Sequence, residues 1–248
     1  MLRLKDPSNF RRTLVGLCLI LAPLLILVAS IIEPESEGDE VREWLPELAQ
    51  DVGRNDASTT LFISGFVLLV PALIGLVHLI RERGITLGHI GGVLAVLGAV
   101  MYPILFSTVY YDLSLAENLP LDQAVKAQEG TEDYVGPYFI FIPAIFGFAL
   151  GLILLSIGLM RAGIAPVWFL VLVVLGNFAI FAGGGENAII ASIGSALLLV
   201  AFGSLGLKVL GMSDADWEDP RRLGAGSAAR PPAAPPAGQP PGPPPATT

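Results

Sequence analysis

The chain has 248 residues, of which 53% are hydrophobic and only 15% charged, and its formal net charge is −8. A soluble domain carries about 25% charged residues, so this composition excludes an ordinary soluble enzyme or binding domain. The acidic balance also argues against a nucleic-acid partner. The single cysteine, Cys18, excludes an intramolecular disulfide and a multi-cysteine metal site.

Six stretches of the sequence contain no Asp, Glu, Lys or Arg over a length that can cross a bilayer. About 20 apolar residues in a helix span the roughly 30 Å hydrocarbon layer. The runs lack the alternation of a membrane β-barrel, so we predict an all-α bundle of six transmembrane helices. The runs cover residues 13–32, 57–80, 84–111, 134–160, 162–185 and 187–207.

The first run has an alternative interpretation as a cleaved secretory signal, because small residues stand at Ala29 and Ser30. Its apolar core is longer than the 7–15 residues typical of a signal peptide. We therefore interpret it as a retained first helix.

The distribution of basic residues predicts the orientation of the bundle. With the N-terminus inside, 11 of the 14 Lys and Arg residues fall on the cytoplasmic side, and only Arg42, Arg54 and Lys126 fall outside. Positive residues in short loops resist translocation. We therefore expect both termini in the cytoplasm and a multi-pass protein of the plasma membrane, with membrane lipids as its surroundings.

The connections between the runs predict three helical hairpins that open outward. Two outer connections are acidic: residues 33–56 hold nine carboxylates and residues 112–133 hold six. In the first of them, apolar residues recur at helical spacing and indicate a short amphipathic helix. We predict that it lies on the outer leaflet with Trp44 as its anchor; the alternative is a lid over an outward cavity.

The two ends of the chain are predicted to lie outside the 13–210 transmembrane domain. Residues 1–12 form a basic cytoplasmic segment. Residues 211–248 form a cytoplasmic tail, in which nine prolines occupy the eighteen positions 231–248. Proline lacks a backbone donor and favours extended chain, so we predict a disordered tail.

A few polar residues inside or beside the runs are candidates for a cavity. Asn177 is an amide in hydrocarbon and needs a partner, which we expect to be a hydrogen bond to another helix. The alternative is that it lines a polar cavity, together with Tyr102 or Tyr110. Glu186 in the run "GGGEN" is predicted to occupy a surface turn before a helix capped by Asn187; the alternative is a re-entrant loop with Glu186 at a pore mouth.

Two histidines are candidate ligands for a cofactor. His78 and His89 flank the short turn "RERG", and histidine pairs can ligate haem or a metal. No third ligand lies nearby in the sequence. We therefore predict no cofactor and no metal site, and retain haem or metal at His78 and His89 as the alternative.

Small residues recur at the four-residue spacing that lets helices approach closely. The pairs are Gly88 with Gly92 and Gly147 with Gly151. We predict that these glycines pack helices of the bundle against one another. The alternative is that they mediate oligomerisation, which uses the same close helix contacts. Three prolines inside the runs, Pro71, Pro103 and Pro143, are expected to kink their helices.

The sequence contains no catalytic motif and no charged residue in the middle of any run, which argues against an enzyme and against proton relay. The leading hypothesis is a non-enzymatic accessory or scaffold subunit that contacts another membrane protein. The second is a passive channel or carrier for a small or apolar solute, which requires a continuous cavity. The third is a haem- or metal-dependent redox protein.

Overall fold

A computed structural model describes residues 6–35, 38, 40–131, 134–183 and 187–220, and every regular element among them is helical. The described residues form six long helical segments, with short helices between the first and second, between the third and fourth, and after the sixth. The elements are α1 (Pro7–Ile32), α2 (Val41–Leu48), a 3₁₀ turn (Ala49–Asp51), α3 (Val52–Leu79), α4 (Ile85–Asn118), α5 (Leu121–Glu129), α6 (Gly136–Ile142), a π-helical turn (Pro143–Gly147), α7 (Phe148–Arg161), α8 (Val167–Gly183), α9 (Ala188–Gly211) and α10 (Asp214–Glu218).

Among the described residues, five helical segments are long and apolar enough to cross a membrane, which indicates a multi-pass membrane protein. They are Pro7–Ile32, Val41–Leu79, Ile85–Asn118, Gly136–Arg161 and Ala188–Gly211. The sixth predicted run corresponds to α8, which is apolar but has 17 residues. The all-helical class is thus confirmed, while the count of six spans and the orientation stay predictions.

The six long segments form a ring in chain order. α1 packs on α3, α3 on α4, α4 on α7, α7 on α8 and α8 on α9, and α9 returns to pack on α1. The connections from α3 to α4, from α7 to α8 and from α8 to α9 are short, and helices joined by a few residues become antiparallel neighbours. One end of the ring carries α2 and α5 and is called the cap end; the other carries α10 and is called the tail end.

The two acidic connections fold together at the cap end. Leu45 of α2 is fully buried against Leu115 and Ala124, and Trp44 packs at the edge of this small cluster. Arg42 forms an ion pair with Asp122 at 2.7 Å. The predicted short helix is therefore present, and its apolar face contacts α4 and α5 of this chain.

The connection predicted at 112–133 begins later than expected. α4 continues to Asn118, and α5 occupies most of the remaining connection. Asp112, which we placed at the start of this outer connection, lies inside α4 and is only 7% exposed. Its Oδ1 atom has no hydrogen-bond partner among the described residues.

The segment after α9 is ordered against the tail end, which corrects part of the prediction for residues 211–248. α10 contacts α1, and Trp217 is 4% exposed. Arg12 of α1 pairs with Asp214 at 2.9 Å and donates to the carbonyl of Leu210 at 2.7 Å. Burial of Trp217 and these bonds hold the segment in place. The proline-rich stretch 231–248 lies outside the described residues.

The predicted small-residue pairs lie mainly at contacts within the chain. A Cβ atom on Gly151 would overlap the backbone of Ala95, and one on Gly92 would overlap Val77. Gly88 is approached by Ile80 and by Gly158. Gly147 differs, because a Cβ there would meet its nearest atom at 3.6 Å, an ordinary contact.

Pro71 and Pro103 lie inside α3 and α4, and Pro143 begins the π-helical turn. A proline removes one backbone donor, and a π-helical turn is a common way to accommodate such an interruption. This turn lies on the same segment as α7, toward the cap end, where the ring encloses a cavity.

Candidate functional site: a cavity inside the ring

A cavity of about 390 Å³ lies inside the ring, in the half nearer the cap end. All six long segments contribute to its wall, from Pro23 on α1 to Phe202 on α9. Its volume falls within the roughly 300–1,000 Å³ of small-molecule pockets. The other half of the ring is filled by fully buried side chains: Leu73, Leu76, Leu155, Leu159, Phe169 and Val173. The cavity is therefore a pocket closed toward the tail end.

One wall of the cavity is a cluster of aromatic rings contributed by α3, α4 and α7. Phe62 stacks on Phe106 with ring centroids 4.5 Å apart, and Phe66 stacks on Tyr102 at 4.2 Å. Phe148 meets the faces of Phe66 and Tyr102 edge-on, at 5.5 and 5.4 Å. Offset and edge-to-face contacts of this kind fix the rings relative to one another. The wall is consequently a preformed apolar surface.

The opposite wall carries a few polar groups. The hydroxyl oxygens of Ser30 on α1 and Ser195 on α9 lie 3.0 Å apart and are buried. Ser30 also donates to the carbonyl of Ile26 at 3.0 Å. A small number of polar groups in an apolar pocket is typical of sites that orient a ligand.

Glu33 marks the mouth of the cavity. It follows the last residue of α1 and lines both this cavity and two adjoining clefts, of about 130 and 700 Å³. Burial raises the pKa of its carboxyl from the ordinary 4.5 to about 7. The ion pairs among the described residues do not include Glu33. The mouth thus holds a partly buried carboxyl group that can exchange a proton near neutral pH.

Arg54 is the basic residue nearest the mouth along the larger cleft. It lines that cleft with Glu33 and Glu35. The guanidinium of Arg54 binds two other groups: it donates to the carbonyl of Ile32 at 3.1 Å and pairs with Asp51 at 3.3 Å. Arg54 therefore ties α3 to the end of α1 beside Glu33.

Two of the four predicted cavity residues lie in the cavity wall. Tyr102 and Asn177 both line it. The amide of Asn177 donates to the carbonyl of Val173 in its own helix at 2.8 Å, where we had expected a bond to another helix. Tyr110 is 38% exposed and shares a hydrogen bond with Thr60 at 2.8 Å, away from the cavity.

Glu186 lies outside the described residues, so its predicted turn has no structural counterpart here. Its neighbour Asn187 is the predicted helix cap: its side chain accepts from the backbone N–H of Ile190 at 3.0 Å.

The two histidines are separated from the cavity and bound to other groups. His78 Nε2 lies 3.1 Å from the carbonyl oxygen of Trp217, and its Nδ1 lies 3.2 Å from Arg81. His89 is exposed, and its Nδ1 lies 2.9 Å from the carbonyl oxygen of Ile85. Within the described part of the chain, no three His, Cys, Asp or Glu residues are grouped so as to hold a metal.

Sequence reasoning missed Glu33 and the aromatic wall. The wall had a signal, because Phe62 and Phe66, like Tyr102 and Phe106, are four residues apart and share a helix face. Glu33 was grouped with the acidic loop; its position immediately after an uninterrupted apolar run was the signal that distinguishes it.

No protein-family model, no curated protein and no solved structure matches the chain. The cavity and its lining residues are therefore the basis for a functional proposal.

Proposed function

We propose that the protein binds a small apolar or amphipathic molecule in the cavity, as a carrier or receptor within the membrane. The observation that carries this proposal is the cavity of about 390 Å³ with an aromatic wall and few polar groups. Burial of a hydrocarbon body against these rings contributes roughly 25 cal/mol per Å² of apolar surface. Ser30, Ser195 and Glu33 would face the polar part of the same molecule.

The proposal includes the topology that the sequence predicts. We take α8 as the sixth span: its 17 residues reach about 26 Å at 1.5 Å per residue, close to the roughly 30 Å hydrocarbon layer. With both termini in the cytoplasm of a plasma-membrane protein, the cap end faces outward. The cavity then opens toward the outer side, and its ligand comes from that leaflet or the space beyond.

A carrier or receptor is better supported than an open channel. The tail half of the ring is filled by fully buried side chains such as Leu76, Leu159 and Phe169. Passage through the protein would require these helices to move apart, whereas binding requires only the existing cavity.

The accessory-subunit hypothesis loses one of the two features that motivated it, the small-residue faces, and keeps the other, the lack of catalytic and charged residues in the runs. Gly88, Gly92 and Gly151 are used at contacts between helices of this chain, so these glycines no longer indicate a surface for a second protein. The haem or metal hypothesis gains no support either, because both ring nitrogens of His78 already face other groups.

The test compares two tryptophan substitutions on α9. Leu198 lines the cavity, whereas Val200 is 57% exposed on the outside of the ring. Leu198→Trp places bulk in the cavity, and Val200→Trp places the same bulk toward lipid. Native mass spectrometry of each protein, incubated with a long-chain alcohol in detergent, should show the added mass for wild type and Val200→Trp and its loss in Leu198→Trp. Equal retention by Leu198→Trp, or no added mass on wild type, would contradict the proposal.

A further inference from the structure

We propose that the hydrocarbon chain of a single-chain membrane lipid enters the cavity sideways, between α8 and the π-helical turn, past Phe146 and Phe181. This inference rests on the proposed function and adds the source and class of the ligand. The relevant surface is called the lateral portal and consists of Ile145, Phe146, Asn177, Ile180 and Phe181.

The ring is held less closely at this position than at its contacts where glycine brings two helix backbones together. Glycines bring helix backbones together between α1 and α9 at Gly16 and Gly206, between α4 and α7 at Gly151, and between α8 and α9 at Gly194. No described glycine brings α7 and α8 into such contact. Without close backbone approach, side chains alone fill the space between two helices.

Only one layer of side chains separates the cavity from the outside of the ring at the portal. Phe181 lines the cavity and is 67% exposed. Phe146 is 56% exposed and follows Ile145, which also lines the cavity. The two rings lie 6.4 Å apart between centroids and are tilted by 54°. Rotation of these two side chains would connect the cavity to the surrounding hydrocarbon.

The backbone beside the portal is also lightly packed. None of the α6 residues is buried, and Phe139 is 76% exposed. Pro143 begins the π-helical turn. Such a turn interrupts the regular hydrogen bonding of an α-helix and is frequent at functional sites. A Cβ on Gly147 would meet only ordinary contacts. Ala144 in the turn is fully buried, so the movement that the portal requires is confined to exposed side chains such as Phe146.

The chemistry of the cavity fits a lipid chain that arrives from the bilayer. The aromatic wall of Phe62, Phe66 and Phe106 accepts hydrocarbon, and the polar groups Ser30, Ser195 and Glu33 lie toward the cap end. A single chain with a small, uncharged or cationic headgroup matches this arrangement, because an anionic headgroup would face the carboxyl group of Glu33. A ligand that stays in hydrocarbon avoids the cost of transfer through water.

The experiment closes the portal reversibly. Cys18 is replaced by serine, and Phe146→Cys and Phe181→Cys are introduced and bridged with a short bis-methanethiosulfonate reagent. The protein is reconstituted in vesicles that contain a long-chain alcohol bearing an alkyl diazirine. After illumination, mass spectrometry measures labelling of the peptides that contain Phe62 and Phe106, and of the exposed peptide that contains Phe139 as an internal reference.

We expect cavity labelling in the unbridged protein, its loss in the bridged protein, and its return after reduction, while labelling at Phe139 stays constant. Each single-cysteine variant treated with the reagent is the control and should keep its labelling. Equal cavity labelling with and without the bridge would overturn the portal and leave the proposed function standing. Absence of cavity labelling in unbridged protein and wild type would overturn both.

If the reagent does not cross-link the two cysteines, a second variant tests the portal instead. Phe146→Ala with Phe181→Ala widens the portal, and cavity labelling should then rise faster after the probe is added to the vesicles. An unchanged rate would overturn the portal.

Discussion

Glu33 is the residue at which the membrane helices, the cavity and the acidic cap meet. Because burial raises its pKa to about 7, the folded protein holds this proton more tightly than the unfolded chain does. Its contribution to stability is therefore present at low pH and is lost as pH rises from about 4.5 through about 7. Glu35 and Arg54 share the cleft and are the neighbouring charged groups.

We predict that Glu33→Gln removes this dependence. Thermal unfolding in detergent at pH 5 and pH 8 should show wild type losing stability relative to Glu33→Gln at the higher pH. Glu35→Gln, at an exposed carboxylate of the same cleft, is the matched control and should follow wild type. A constant difference between wild type and Glu33→Gln at the two pH values would show that the carboxyl group does not titrate in this range.

At the scale of single residues, the sequence points to candidates where the chemistry of the side chain is decisive by itself; Tyr102 and Asn177 line the cavity, and their roles stay predictions. Tyr102 and Asn177 were selected because polar groups in hydrocarbon need a partner. The partner of Asn177 was predicted wrongly, since a carbonyl four residues earlier is available in any helix and needs no neighbour. The position of Glu33 after an apolar run was a usable signal, but its burial depends on residues of α3 and α9 that line the same clefts and lie elsewhere in the chain.

The contact between α4 and α7 is the element-scale feature with the clearest energetic consequence. A Cβ on Gly151 would overlap the backbone of Ala95, which cannot move aside as a side chain can. We predict that Gly151→Ala destabilises the protein by about 1–3 kcal/mol, the usual cost of overpacking. Gly147→Ala, on the same helical segment but with only ordinary contacts at 3.6 Å or more around the new Cβ, should change stability little.

Thermal or denaturant unfolding of the two variants in the same detergent measures this difference. Equal stability of Gly151→Ala and Gly147→Ala would mean that the α4–α7 contact is looser than described. Ligand binding should persist in Gly147→Ala, because this position does not line the cavity.

The long helices could be predicted from the sequence because an uninterrupted apolar run is a strong local signal. The short helices were harder to predict from the sequence. α10 was assigned to the tail because its sequence is polar, yet burial of Trp217 and the bond from Arg12 to Asp214 hold it against α1. The continuation of α4 past Asp112 likewise depends on its packing with α2 and α5, which lie elsewhere in the chain.

At the scale of the whole molecule, the orientation in the membrane can be tested with two matched substitutions. Glu82 lies in the turn between α3 and α4, and Glu129 ends α5 at the cap end. In a Cys18→Ser background, we predict that Glu129→Cys reacts with a membrane-impermeant maleimide on intact cells. Glu82→Cys should react only after the membrane is permeabilised. The reverse pattern would invert the orientation, and labelling of both on intact cells would contradict the six-span topology.

The ring order has a consequence for how the protein is made. Of the six long segments, α1 is synthesised before the others and α9 after them, yet these two form one of the tightest contacts, through Gly16 and Gly206. Until α9 has been made, the other five long segments form an arc that lacks the contact closing the ring. Closure of the ring, followed by the docking of α10 on Arg12, encloses whatever occupies the space inside the arc. A lipid trapped at this moment would make the protein leave the ribosome and the insertion machinery already loaded.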